Sequence, residues 1–263
     1  MIKIENLSFS YNKKSPQLLN NLSFEINDGN TLVILGKNGV GKTTLLKCLS
    51  GEIRNYSGNI LIDSENLLEY TTQELSHKIA LVASNSTCYQ NLCVADYLVT
   101  GLSNQFNPLQ SPNKLHYEKA FQIIKELKQE KLFDSYIYKL SSGEMQIVKI
   151  GRAILQNPRI IIFDEPTSNL DIKNQLLVLN QIADLSKRGY TVVTTTHNPG
   201  QAIELDGYTL MLHDEGYHFG LAKDIIDERN LNEIYDLNVF TENISNRKIT
   251  IFNDEKDVHK LVY

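Results

Sequence analysis

The stretch Gly36-Lys37-Asn38-Gly39-Val40-Gly41-Lys42-Thr43 has the residue types and spacing of a loop that wraps a polyphosphate. Its glycines free the backbone to curl, so that successive N–H groups point at phosphate oxygens at the positive end of the helix that follows. Lys42 would then reach the β- and γ-phosphates, the Thr43 hydroxyl would hold a bridging Mg²⁺, and Thr44 would face the α-phosphate. The adjacent acids Asp164 and Glu165 suit two further tasks, holding the magnesium through a water and polarising an attacking water. His197 completes the set as a γ-phosphate contact. Together these groups offer positioning and charge stabilisation, which is what phosphoryl transfer to water needs.

Each of these residues is expected where an element ends. Leu32 to Leu35 form an apolar run read as a buried strand, and the pattern from Thr43 through Leu49 is helical. Arg159 to Phe163 is a continuous apolar strand suited to the centre of a parallel sheet, and Thr191 to Thr196 is another. In open α/β sheets ligands bind beyond the carboxyl ends of strands, so Asp164, Glu165 and His197 should emerge beside the phosphate loop. Leu140 to Glu144 open a helix running to about Gln156, with Ser141 or Ser142 as N-cap, which creates a second anion-seeking helix end. Ser168 to Asp171 form a capped loop before an amphipathic helix, Ile172 to Lys187.

Around this plan, Ile2, Ile4, Phe9 and Tyr11 are expected on one face of a first strand, and Leu22, Phe24 and Ile26 on one face of the next. The Tyr11 ring could stack on a purine. Strands are also expected over 58–63, 78–83, 208–213 and 217–222, and a terminal one over 248–252. Short helices are expected over 72–77, 94–101 and 231–237, and a longer one over 113–133 with Phe121, Ile124 and Leu127 on one side.

A chain of 263 residues that is 41% hydrophobic can bury a large core. Its net charge of -5, without a basic run, argues against nucleic acid as a partner. No apolar segment approaches a bilayer span, and the start MIKIENLSFSY alternates like a strand, so the expected location is the cytoplasm. Cys48, Cys88 and Cys93 include no CxxC pair, and neither a disulfide framework nor a zinc site is read from them.

With these residues in hand, the chain resembles the ATP-binding subunit of an ABC transporter over nearly its full length. The phosphate loop, the signature Leu140 to Glu144, the Asp164-Glu165 pair, the Ser168 to Asp171 loop and His197 occur in the family's order. The resemblance implies an α/β P-loop NTPase (RecA-like) core with an antiparallel β subdomain and an inserted α-helical subdomain. The implied division is an ATPase domain over 1–240, with core and β subdomain at 1–84 and 158–220, a helical subdomain at 85–157, and an extension at 241–263. It further implies a homodimer in which Ser141, Ser142, Gly143 and Glu144 of one subunit close on ATP and Mg²⁺ held by the other, with Asp171 also at the nucleotide. A membrane permease, and indirectly an external substrate-binding protein, are the implied partners, with the chain peripheral on the inner membrane face. The stretches Val94 to Gly101 and Leu231 to Val239 look most like the ATPases of iron-chelate, haem and vitamin B12 importers. Ser84 stands where the family has a magnesium-touching glutamine, Ser142 where it has a second signature glycine, and Leu102 where that subgroup has an arginine. A subunit that closes on ATP yet hydrolyses it weakly, or an ABC ATPase with no transport partner, remains open at this level.

Overall fold

The computed structural model describes residues 1–12, 16–83, 91–106, 111–235, 238–244 and 247–253. The chain runs β1 (Ile2–Phe9), β2 (Leu19–Ile26), β3 (Thr31–Gly36), α1 (Lys42–Leu49), β4 (Ser57–Ile62) and β5 (Glu65–Asn66). There follow α2 (Thr72–Lys78), β6 (Ile79–Val82), α3 (Val94–Val99), α4 (Lys114–Glu126), α5 (Ser142–Leu155) and β7 (Ile160–Phe163). The last part holds α6 (Ile172–Lys187), β8 (Thr191–Thr196), α7 (Pro199–Leu205), β9 (Tyr208–His213), β10 (Gly216–Leu221), α8 (Ala222–Ile225) and α9 (Glu228–Tyr235). A hairpin of β11 (Asn238–Ile244) and β12 (Arg247–Asn253) comes after them.

The central sheet has the order β10-β9-β3-β8-β7-β6, parallel from β9 to β6 with β10 antiparallel at the edge. Its strands are apolar on both faces because both faces are covered. Leu32, Ile34, Ile160, Ile162 and Val193 face α1 and the antiparallel sheet β2-β1-β4-β5. Val33, Leu35, Ile161, Phe163 and Val192 face the opposite way, into a core with α5, α6, α7 and α9. This is the period of two of a pleated strand, with each fully buried Leu or Ile stabilising by roughly 1.5–3 kcal/mol. A third cluster, with Val94, Leu98, Ala120, Ile124 and Val148, joins α3, α4 and α5. Helix α5 supplies both the second and the third, which explains why it is buried nearly all round, Gln146 and Lys149 included.

Two expectations are corrected. The helix over 113–133 ends at Glu126, and a separate 3-10 turn follows at Glu130–Leu132. Lys128 takes a left-handed φ of 58°, and the amides of Lys128 and Gln129 close back on the carbonyls of Lys125 and Ile124 in a Schellman motif. No glycine marks that stop. On β1, Ile2 and Ile4 have the opposite parity to Phe9, yet all three are buried together with Leu7. A bulge at Asn6 (φ 52°) shifts the register and makes this possible, while Tyr11 lies past the strand and is exposed. Helices α7 and α8 and strand β11 had no counterpart in the pattern. Among the described residues no helix is long and apolar enough to cross a membrane.

Candidate functional site

Strand order brings the chemistry together. β8 lies between β3 and β7, with Leu35 level with Thr196 and Phe163 level with Thr194. The phosphate loop, His197 and the Asp164-Glu165 pair therefore leave three neighbouring strands on the same edge. A cleft of about 510 Å³ opens there, with Tyr11, Gly39, Lys42, Thr43, Asp164 and Glu165 in its wall, and with Asn38, Gly41 and Thr44 beside them.

Lys42 is buried, and its Nζ donates to the carbonyls of Gly36 (2.8 Å) and Lys37 (3.0 Å), 3.6 Å from Glu165 Oε1. Burial lowers its pKa below the ordinary lysine value, and the Glu165 and Asp164 charges oppose that shift. The ammonium is thus held at the loop's centre by its own backbone. Thr43 Oγ1 donates to both Asp164 oxygens, at 3.2 and 3.3 Å. These are hard oxygen donors on facing elements, the donor type magnesium prefers. Tyr11 Oη and Thr44 Oγ1 share a hydrogen bond of 3.0 Å, so the hydroxyl expected at an α-phosphate is also the anchor of the exposed Tyr11 ring. That ring meets Phe9 edge-on.

Glu165 has a left-handed φ of 46°, uncommon without a glycine and costing about 1–2 kcal/mol. Thr195 compensates, because its Oγ1 accepts from the Glu165 amide (2.8 Å) and donates to Asp164 Oδ1 (3.0 Å). His197 Nδ1 is 3.9 Å from Glu165 Oε1, and the His197 carbonyl accepts from Tyr235 Oη. Gln201 Oε1 accepts from Thr167 and Thr196, tying the loop after Glu165 to the His197 turn. Thr195, Gln201 and Tyr235 were not singled out from the sequence. The three consecutive threonines buried in β8 were the available signal, since a buried hydroxyl needs a partner.

The other half of the expected set lies elsewhere. Ser141 caps α5 in a reciprocal box: its Oγ accepts from the Glu144 amide, while Glu144 accepts from the Ser141 amide and hydroxyl. The bond from the Ser141 amide holds the Glu144 carboxyl below its usual pKa. Gly143 sits against the Asn174 side chain, which Asp171 grips at 2.8 Å while also capping α6. Ser141 to Glu144 and Asp171 thus share one surface, and none of them lines the 510 Å³ cleft. Lys37 and Val40 turn away as well, toward a cleft beside His213 and Glu233. Ser84 and Cys88 fall outside the described residues. Burial pushes the Cys48 thiol up to about 12, which leaves it inert.

Gly36 runs so close to β9 that a Cβ would stand 2.6 Å from the Leu212 carbonyl oxygen. Gly36→Ala is expected to destabilise the fold by about 1–3 kcal/mol, measured by urea unfolding, because backbone must move to admit the methyl.

A phosphate loop between a central parallel strand and a helix, with two acids at a nearby strand end, defines a P-loop nucleoside triphosphatase. The family model for ABC transporters matches residues 19–168. Similar proteins include a molybdate import ATP-binding protein of Haemophilus influenzae, 33% identical over 92% of this chain and 90% of that one. An iron chelatin transport ATP-binding protein assigned as probable in Helicobacter pylori is 32% identical, over 90% and 93%. Among solved structures, an inward-facing ABC transporter described as metal-chelate type aligns with a TM-score of 0.84 and 31% identity over 96% of both chains. The chain belongs to the ABC transporter family, as an ATP-binding subunit. It is therefore an ATPase of the kind that drives transport in complexes with membrane permease subunits.

Proposed function

We propose that this chain binds Mg²⁺ and ATP in the Lys42 cleft, pairs head to tail with a second copy, and drives import of a metal chelate through a permease. The observation that carries the pairing is the split of the site: loop and acids line the cleft, while the capped end of α5 lies on another surface. A second copy brings that helix end, with its positive dipole and the Ser141 hydroxyl, to the exposed side of the triphosphate. Gly36 to Thr44 grip the phosphates through backbone amides and Lys42, and Tyr11 stacks on the base. Thr43 and Asp164 would hold the magnesium, which when bound would neutralise charge on the phosphate oxygens. Glu165 takes the proton of an attacking water, and His197 contacts the γ-phosphate. Asp171 positions Asn174 against Gly143 at the seam. The helical layer at 85–157 acts as one unit carrying the signature, and the complex sits on the inner membrane face with a substrate-binding protein outside. Metal-chelate cargo is supported by the relative described as an iron chelatin transport protein and the structure described as metal-chelate type, and the cargo classes proposed within it are ferric siderophore, haem and cobalamin.

Ser142→Glu tests the pairing. At the first turn of α5 a carboxylate suits the helix dipole, so the fold keeps its stability within about 0.5 kcal/mol. Facing a γ-phosphate, the same charge repels. ATP binding by the monomer is expected to persist while ATP-driven dimers vanish in sedimentation analysis. For the cargo, the chain and its permease are reconstituted in vesicles and scored for ATP-dependent uptake of labelled ferric siderophore, haem and cobalamin. Uptake of none of the three chelate classes sinks the import reading.

A further inference from the structure

A second cluster lies on the far side of the phosphate loop from the nucleotide cleft. His213 ends β9 and His218 lies in β10, two residues apart in the hairpin register and on the same face, so their rings stack 5.1 Å apart at 20°. Glu233 reaches them from α9 with one oxygen for each ring. Its Oε1 is 3.6 Å from His213 Nδ1 and its Oε2 is 3.1 Å from His218 Nε2. One ligand atom from each residue lies within 4.8 Å of the others.

We infer that His213, His218 and Glu233 form a binding site for one divalent ion of the zinc class. Two imidazoles and a carboxylate are the donor set such ions take, and bonds of about 2.0–2.1 Å need ligand atoms roughly 3.3 Å apart. The Glu233 oxygens, at 3.6 Å from His213 Nδ1 and 3.1 Å from His218 Nε2, already stand near that spacing. His213 is 10% exposed and His218 32%, so the rings are partly shielded from water, while Glu233 at 39% leaves an entrance. The fourth position opens on a cleft of about 300 Å³, which Asp214 and Glu215 line together with Lys37. The site is distinct from the magnesium position, whose donors are the Thr43 hydroxyl in the first turn of α1 and the Asp164 carboxylate just after β7.

Binding has a structural consequence. The hairpin and α9 are separate elements, with His218 and Glu233 15 positions apart, and the ion links them. Helix α9 also carries Tyr235, whose hydroxyl donates to the His197 carbonyl at 2.8 Å. Loading the site therefore fixes the helix that braces the His197 turn.

The full chain, stripped with a chelator and free of nucleotide, is titrated with Zn²⁺ by calorimetry and with Co²⁺ by visible absorption. The expected result is one ion per chain, a d–d band of low-coordinate N/O ligation, and slower amide exchange across Glu228–Tyr235 with zinc. Glu233→Gln and the double variant His213→Ala/His218→Ala should each weaken zinc binding roughly 10-fold or more and abolish the exchange effect. If the double variant fails to fold, Glu233→Gln, changed at a more exposed position and isosteric, carries the test alone. Absence of stoichiometric zinc binding in the wild type, or unchanged affinity in Glu233→Gln, overturns the assignment. Neither outcome bears on the ATPase or its cargo.

Discussion

Glu165→Gln is expected to lower ATP turnover by about 10²–10⁴-fold while leaving ATP affinity within a few-fold of wild type. The amide matches the carboxylate in shape but cannot accept a proton from water. The backbone that places it stays intact, since Thr195 Oγ1 bonds to the main-chain amide of residue 165 and to Asp164, neither of which changes. The cost to folding is expected to be about 1 kcal/mol, because Lys42 loses a carboxylate 3.6 Å away but keeps its two loop carbonyls. Single-turnover phosphate release separates chemistry from binding, and sedimentation with ATP should show dimers that no longer come apart. Turnover at wild-type rate would remove Glu165 from the role of base and move attention to His197, 3.9 Å away.

Lys42→Ala should act earlier in the cycle. Two charge-assisted contacts to phosphate oxygens disappear, each worth about 1.5 kcal/mol or more, which predicts an ATP affinity lower by roughly 10²-fold or more. Titration with a fluorescent nucleotide reads this directly, and adenosine, which has no phosphates, should bind equally to both proteins. Mixing makes the two surfaces visible together. Lys42→Ala keeps an intact helix end and Ser142→Glu an intact loop, so each is inactive alone, whereas a mixture assembles one complete site and regains part of the ATPase rate. No recovery on mixing would mean that the two surfaces do not meet across a dimer.

Much of the fold follows from local chemistry. Strands β3, β7 and β8 carry uninterrupted apolar or threonine runs, and Ile172–Lys187 and Thr191–Thr196 begin and end where the sequence pattern places them. The stop of α4 was not legible, because Lys128 adopts the left-handed turn usually marked by glycine. Nor was the bulge at Asn6, which reverses the parity of β1 through a polar residue that looks like any other in a strand.

The sequence by itself determined which groups can handle a triphosphate. A glycine-spaced loop, a lysine, a threonine and two acids after an apolar strand are local features, set by residue type and short-range spacing. Only the tertiary structure decided which of them share a cleft. Strand order in the sheet puts residues 36, 164 and 197 side by side although more than a hundred positions separate the first from the second. The same folding sends Ser141 to Glu144 to a different surface, and closes Glu233 over His213 and His218. Those relations depend on long-range pairing and packing, which no window of neighbouring residues encodes.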